Sequence, residues 1–489
     1  MNAVDFFFEN TAGLEKDMLI QAGKGVGYKT MALDVVRLEA RLREDFKKGS
    51  GIILVSPNNR FFVTVYLAIM KAGCVCVPLN PAVEPDNFEY VRGITRAVHV
   101  FLHSSVVNRL PSVLSYTDER GLHTLMEKDS MKAFSHPSQN ESAGGDDLAQ
   151  IIFTSGSTSV PKGVMITHEN LIANTESILD YLHLREDETM LVVLPFFYCY
   201  GLSLLHTHMR VGGTLVLNNS FMFLGGVLRD LQKYHCTGFA GVPSHFQVLL
   251  RRSESFRNGH FPDLRYVTQA GGKLHKSFIT EFMELFPDVR FYVMYGQTEA
   301  TARLSYLPPD RLPGKLGSIG TGIPGVELRV VDEHGGKLEA GQNGEIIARG
   351  RNIMKGYFGD EEASRQALRD GWLHTGDLGA MDEDGFIYLS ARKKEMIKVG
   401  GKRVSPREIE EVVVAIPGVV DCTIEGYEHP VLGEALRAIV VKAPGTTISQ
   451  EDVRAACAGK LASFKIPSEV VFKNKMEVSA TGKKVKGTL

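Results

Sequence analysis

The sequence predicts an α/β protein: a large N-terminal domain of doubly wound α/β subdomains plus a small β-rich subdomain, followed by a small α+β C-terminal domain. Three changes of texture carry that expectation. Up to about residue 330 short apolar runs alternate with helical patterns, from Gly325 turns and short alternating strands take over, and after "GFIYLSARKKEMIKVGG" a third texture begins. Regular alternation of strand and helix builds layered parallel sheets, whose ligands sit in crevices outside the carboxyl ends of the strands.

The runs "GIILVS" (Gly51 to Ser56), "CVCVPL", "HVFLH", "QIIFTS", "MLVVLP", "TLVLN", "TGFAGVP", "LRYVTQAGG" and "RFYVMYG" read as strands, with helices over 59–71 and 168–181 between them. The stretch "GVELRVVDEHGGKLEAGQNGEIIARG" alternates at the strand period and is rich in turn residues, as a small β subdomain requires. "SPREIEEVVVAI" opens with a polar N-cap, a proline in the first turn and early acids, which is helix-start chemistry. Strands "VVDCTIEGY" and "LRAIVVKA", a helix near 449–461 and strand "EVVFK" complete an α+β unit. The expected domains are 1–392 and 393–489, the second large enough to hold a core of its own.

Across 489 residues, 44% are hydrophobic and 23% charged, the balance of an ordinary globular protein. Lys plus Arg (55) against Asp plus Glu (57) leaves a net charge of -2, so no global field attracts nucleic acid or an acidic membrane. Any anionic ligand must be held locally. The six cysteines show no metal-ligand or CxxC spacing and read as free thiols of a reducing cytoplasm, with Cys74 and Cys76 buried in a strand. "MNAVDFFFEN" lacks the basic start of a secretory signal. The most apolar run, from Met190 to Leu205, is short for a membrane span and broken by Pro195 and Gly201. A cytoplasmic location is expected.

"AQIIFTSGSTSVPKGVMITHENL" reads as a strand, a loop, a second strand beginning near Val164, and a helix capped by Thr167. A Walker A loop would need GxxxxGK and then Ser or Thr, entering a helix directly; counted from Gly156, the sixth place is Pro161 and Gly163 follows Lys162. The composition nevertheless suits phosphate. Glycine admits backbone N–H groups to an anion, the hydroxyls of Thr154, Ser155, Ser157 and Thr158 donate further bonds, and Lys162 adds a point charge. Taken alone, such a stretch also serves as a solvated turn.

The loop resembles the phosphate-binding signature "TSG(S/T)TGxPKG" of the adenylate-forming superfamily, which comprises acyl-CoA synthetases, aryl acid ligases, luciferases and stand-alone adenylation domains. Ser159 stands where that family has glycine, and serine at positive φ would be strained by roughly 1 kcal/mol. Further family elements follow in order: "YVMYGQTEA", "GEIIARGRNIMKGY", "GWLHTGDLG", "SARKKEMIKVGGKRVSPREIEE" and "VSATGKKVKGTL". Ala391 replaces a frequent glycine, and the proline expected upstream of the last element is absent.

The resemblance implies a nucleotide site of Thr154, Ser155, Gly156, Ser157, Thr158, Lys162, Tyr295, Gly296, Thr298, Asp377, Arg392 and Lys483. In it Tyr295 would stack on adenine, Thr298 would contact phosphate, Glu299 would bind magnesium, and Asp377 would accept from both ribose hydroxyls. Arg392 would lie near the ribose and phosphate, and Lys394 would be the hinge. Lys483 would bridge the substrate carboxylate and the α-phosphate, forming with Glu299 and Thr298 the catalytic set.

The implied activity uses ATP and Mg2+ to convert a carboxylic acid to an acyl-adenylate, releasing pyrophosphate. The small domain then rotates, and the acyl group passes to coenzyme A or, alternatively, to the phosphopantetheine of an acyl carrier protein. A non-catalytic homologue would be expected to lack one of Glu299, Asp377, Arg392 or Lys483; all four are present. Amino-acid-activating relatives carry an aspartate where this chain has Cys199, and a buried ammonium without a carboxylate is costly. The pocket walls are expected at Phe197, Tyr198, Cys199, Tyr200 and Gly201, with Gly241 to Pro243 and Ala270, Gly271 and Gly272. They suggest an uncharged aryl or short-to-medium acyl group. His206 and His208 read as core or surface histidines.

Overall fold

The computed structural model describes residues 1–110, 113, 115–128, 143–154, 161–392, 395–399, 402–429 and 433–476. Of the expected site residues, Ser155, Gly156, Ser157, Thr158, Lys394 and Lys483 lie outside these, as does Ser159.

The large N-terminal domain holds two α/β sheets and a smaller antiparallel one. A nine-stranded sheet carries, in neighbouring order, the parallel strands Thr214–Leu217, Thr189–Val192, Gly238–Gly241, Tyr266–Gln269 and Arg290–Tyr295. A six-stranded sheet pairs His99–Leu102, Gly51–Val55, Val75–Leu79, Leu148–Thr154, Lys162–Thr167 and Gly356–Tyr357. Strands buried on both faces read as continuous apolar runs, which is why "GIILV" and "VCVPL" are so uniform. The third sheet, built on Val326–Val331, Asn343–Gly350, Trp372–Met381 and Ile387–Arg392, is the expected β-rich subdomain.

Helix starts follow their caps. Asn59 accepts from the Phe62 N–H at 2.8 Å to open Arg60–Lys71, and Thr167 and Asn170 form a reciprocal capping box at the head of His168–Leu182. The first fifty residues add structure that local pattern did not reveal. Asp17–Gln21 joins the nine-stranded sheet beside Thr214–Leu217, and Tyr28–Asp45 packs on Arg60–Lys71.

In the small C-terminal domain, Val419–His429 pairs antiparallel with Gly433–Lys442, Glu469–Lys473 runs parallel to the latter, and helices Pro406–Val414 and Gln450–Ala458 pack together. Ser405 stands at the N-cap of the first helix, but its hydroxyl makes no cap bond. It donates instead to the Ser390 carbonyl at 2.6 Å, tying that helix back to the strand before the junction. Glu411 secures the same helix to the large domain, accepting from the Lys276 N–H at 2.9 Å and facing Lys273 at 3.1 Å. Burial pushes its carboxyl up, but His275 and Lys273 more than offset this and hold it at about 2. Among the described residues no helix is long and apolar enough to cross a membrane. No disulfide joins any of the six cysteines, and all are buried.

Candidate active site

The expected site segments leave the carboxyl ends of adjacent parallel strands. Val192 leads into Phe197 and Tyr198; Gly241 pairs with Gln269, just before Ala270 to Gly272; and Tyr295 leads into Gly296, Thr298 and Glu299. Adjacent parallel strands bring their following loops together, and so these segments converge. Cys199 and Tyr200 begin the helix Cys199–Val211, where Cys199 Sγ lies 3.6 Å from Thr298 Oγ1. Thr298 is itself buried. The glycines here have packing reasons: a side chain on Gly201 would strike the Pro195 carbonyl, Gly271 sits at φ +84°, and a Cβ on Gly272 would press Pro243. At Gly241 a Cβ would come within 2.9 Å of the Phe246 ring.

The phosphate-loop expectation lies between two strands of the six-stranded sheet. Thr154 closes Leu148–Thr154 and pairs with Lys162, which opens the antiparallel strand Lys162–Thr167. A strand, not a helix, therefore follows the loop, as the failed Walker spacing requires. The Lys162 ammonium lies 3.6 Å from Asp360 and 5.0 Å from the centre of the Tyr357 ring. Tyr357 in turn donates its phenol to Glu299 Oε1 at 2.9 Å. Burial, and then the Glu299 carboxylate, push the Tyr357 phenol up, so it remains a donor.

The second polar cluster centres on Asp377, which is 1% exposed. Tyr295 donates to its Oδ2 at 2.8 Å and Arg392 donates to its Oδ1 at 3.0 Å. The Arg392 contact follows from register, because Asp377 and Arg392 are opposed in neighbouring antiparallel strands. Both carboxylate oxygens are thus already engaged by the protein, each keeping a further lone pair for an incoming donor. The Tyr295 hydroxyl is committed to Asp377 as well. Burial first, and then that carboxylate, hold the phenol well above its ordinary range.

Residues 8–358 match the family described as AMP-binding enzyme, and residues 408–483 match the C-terminal domain of AMP-binding enzymes. The chain belongs to the AMP-binding enzyme family. It is 31% identical to an oxalate–CoA ligase of Arabidopsis thaliana, covering 92% of this chain and 90% of that one. It is 30% identical to a feruloyl-CoA synthase of Amycolatopsis sp, covering 95% and 93% respectively. Among solved structures, ATP-bound MatB from Rhodopseudomonas palustris superimposes with a TM-score of 0.88 at 27% identity, covering 99% of this chain and 97% of that one. Membership of this adenylate-forming superfamily makes the chain an AMP-forming acid–thiol ligase of the acyl-CoA synthetase kind.

Three residues beside the expected site residues were not named from the sequence. Tyr357 ends the quoted element "GEIIARGRNIMKGY", so its position was flagged but its partner was not. Thr301 adopts φ +64°, ψ -52°, and the Ala302 N–H meets the Ala300 carbonyl at 2.6 Å, a γ-turn of the strained hand. Arg303, two residues on, is buried with its guanidinium 4.1 Å from the centre of the Tyr200 ring. His206 and His208 are both core residues: His206 bonds Tyr66 at 2.9 Å and stacks on Phe7, and His208 contacts the Leu204 carbonyl.

Proposed function

We propose that the chain activates a carboxylic acid, aryl or short-to-medium acyl, as its adenylate and then forms the thioester with coenzyme A. The observation that carries this reading is two polar clusters built from the expected site residues, Lys162–Tyr357–Glu299 and Tyr295–Asp377–Arg392, whose Tyr295 and Glu299 stand four residues apart at the end of one strand. Tyr198, an expected wall residue, lies within electrostatic reach of both Glu299 and Arg392, which supports a wall near both clusters.

A carboxylate is a poor acyl donor until its oxygen becomes part of a leaving group. In the first half-reaction the acid's oxygen attacks the α-phosphorus of ATP, a P–O bond forms, and the bond to pyrophosphate breaks. Both reactants are anions, so the protein must hold them in line and offset their charge. Thr154 and Lys162, with Ser155 to Thr158 of the loop, suit the β- and γ-phosphates. Asp377 keeps lone pairs for the ribose hydroxyls, while Arg392 stands beside it as a cation. Glu299 fits magnesium, because one oxygen is fixed by Tyr357 and the other is a hard donor without a hydrogen-bond partner among the described residues. When bound there, the ion would neutralise phosphate charge.

Lys483 is assigned the bridging role between acid and α-phosphate, and Lys394 the hinge, with the domain divide after Arg392. In the second half-reaction the thiol sulfur attacks the acyl carbon and AMP leaves, so no side-chain nucleophile is needed. The CoA ligase names of the relatives support coenzyme A over a carrier protein, whereas acids as unlike as oxalate and ferulate leave the acyl group open. Six cysteines without a disulfide favour a cytoplasmic site of action.

The test is ATP–pyrophosphate exchange over a carboxylic acid library, followed by thioester formation with coenzyme A or holo carrier protein as acceptor. Lys483→Ala should nearly abolish exchange yet leave thiolysis of supplied acyl-adenylate intact. Equal loss of both half-reactions would remove Lys483 from the assignment, and absence of exchange with every acid would remove the reading itself.

A further inference from the structure

We propose that Arg303 is the specificity-determining residue that receives a second anionic group on the acid, so that the preferred substrate is a dicarboxylate. This deepens the activity proposed above and rests on it. Arg303 is 3% exposed, yet no carboxylate among the described residues pairs with it. Its Nε points to Met294 Sδ at 3.4 Å, its Nη1 donates to the Ala302 carbonyl at 3.2 Å, and its plane lies over Tyr200. The Tyr181 phenol also bonds the guanidinium, but a thioether, a carbonyl, a phenol and a ring face carry no formal negative charge, and buried charges are ordinarily paired. Arg392 and Lys162, the cations of the two polar clusters, face Asp377 and Asp360 respectively.

The backbone around Arg303 is held in place at some cost. The strained turn at Thr301 is pinned by the Thr301 hydroxyl donating to the Asn352 carbonyl at 2.7 Å, and Asn352 Nδ2 donates to the Arg303 carbonyl at the same distance. Strain of this kind persists where a site requires it. The turn sets the guanidinium against Tyr200, one of the residues expected to line the acyl pocket, and Tyr198, another, lies within electrostatic reach of Arg303 as well as of Glu299. A planar guanidinium is matched to a carboxylate by two parallel hydrogen bonds. The inference departs from the uncharged acyl group that the wall residues alone suggest.

The experiment measures ATP–pyrophosphate exchange by the full chain with MgATP, using diacids paired with their half-amides: oxalate with oxamate, malonate with malonamate, succinate with succinamate, and phthalate with phthalamate. For at least one pair, kcat/KM for the diacid should exceed that for the half-amide by about 30-fold, the discrimination expected when a buried charged donor loses its partner. Arg303→Met should bring that ratio close to one, and Arg303→Lys should retain part of it. A wild-type enzyme that prefers half-amides, benzoate or butyrate to every diacid would overturn the proposal. So would Arg303→Met lowering both members of a pair by the same factor, since that is the signature of packing alone. Should Arg303→Met fail to fold, the wild-type ratio and Arg303→Lys decide. Exchange with monoacids but not diacids sinks only this inference, whereas exchange with no acid sinks the activity beneath it.

Discussion

The phenol of Tyr357 donates to Glu299 Oε1 at 2.9 Å while its ring faces the Lys162 ammonium, so one side chain joins the cation of the phosphate loop to the carboxylate of the "YGQTE" element. Tyr357→Phe would keep the ring and remove only the donor. The kcat/KM for pyrophosphate exchange should fall about tenfold, as for one charge-assisted hydrogen bond. Because Glu299 would then be free to reorient, the Mg2+ concentration giving half-maximal exchange should also change. Titrating Mg2+ with both enzymes checks this, and an unchanged Mg2+ dependence would separate Tyr357 from the metal site.

Gly296 makes the strained turn possible. A Cβ there would collide with the Ala302 carbonyl, which is backbone and cannot swing away. Gly296→Ala should therefore cost about 1–3 kcal/mol of stability through overpacking. It should also displace Thr298, Glu299 and Arg303, so exchange activity should fall more than stability alone predicts. Thermal unfolding and exchange, measured on the same preparation, give the comparison.

Asp377→Asn preserves shape but presents Tyr295 and Arg392 with an amide. One of the two donors then meets an NH2 group, and the buried site loses roughly 1–3 kcal/mol. Arg392 is half exposed, so its share is partly screened by water. The KM for ATP should rise at least about tenfold, because the nucleotide site loses a charged acceptor. Initial rates at varied ATP and a fixed, saturating acid provide the check.

Four buried histidines set the acid limit of the fold. Burial holds His206 and His245 down to about 3, and His168 and His208 to about 4, against an ordinary value of 6.5. They stay neutral in the folded chain, whereas the unfolded chain takes up protons below 6.5, so acid favours unfolding. Each histidine should remove about 1.4 kcal/mol of stability per pH unit as pH falls from 6.5 toward 4. Urea unfolding at pH 7.5 and 5.5 should show the loss, and His206→Gln should make the pH dependence shallower.

Local pattern made much of the fold legible. The strand, loop, strand and capped helix around Lys162 follow from an apolar run, a glycine-rich interruption and a Thr–Asn capping box, all determined within about twenty residues. The helix expected near 449–461 is Gln450–Ala458, which Ser449 and Asp452 cap reciprocally. Ser405 looked like the same signal, but its hydroxyl found the Ser390 carbonyl, because a neighbouring strand offered an acceptor that local sequence does not show.

The family motifs indicated which residues belong to the site, but not what each touches. Tyr357 meets Glu299 across 58 positions and Tyr295 meets Asp377 across 82, contacts set by how sheets stack and strands register. Arg303 is the sharpest case. In sequence it is one charge beside an element already explained; in the fold, the turn at Thr301 buries it against Tyr200 with no carboxylate partner among the described residues. Periodicity and capping act over a few residues and can be read along the chain, whereas burial and charge pairing depend on groups brought together from far apart, which only the tertiary structure decides.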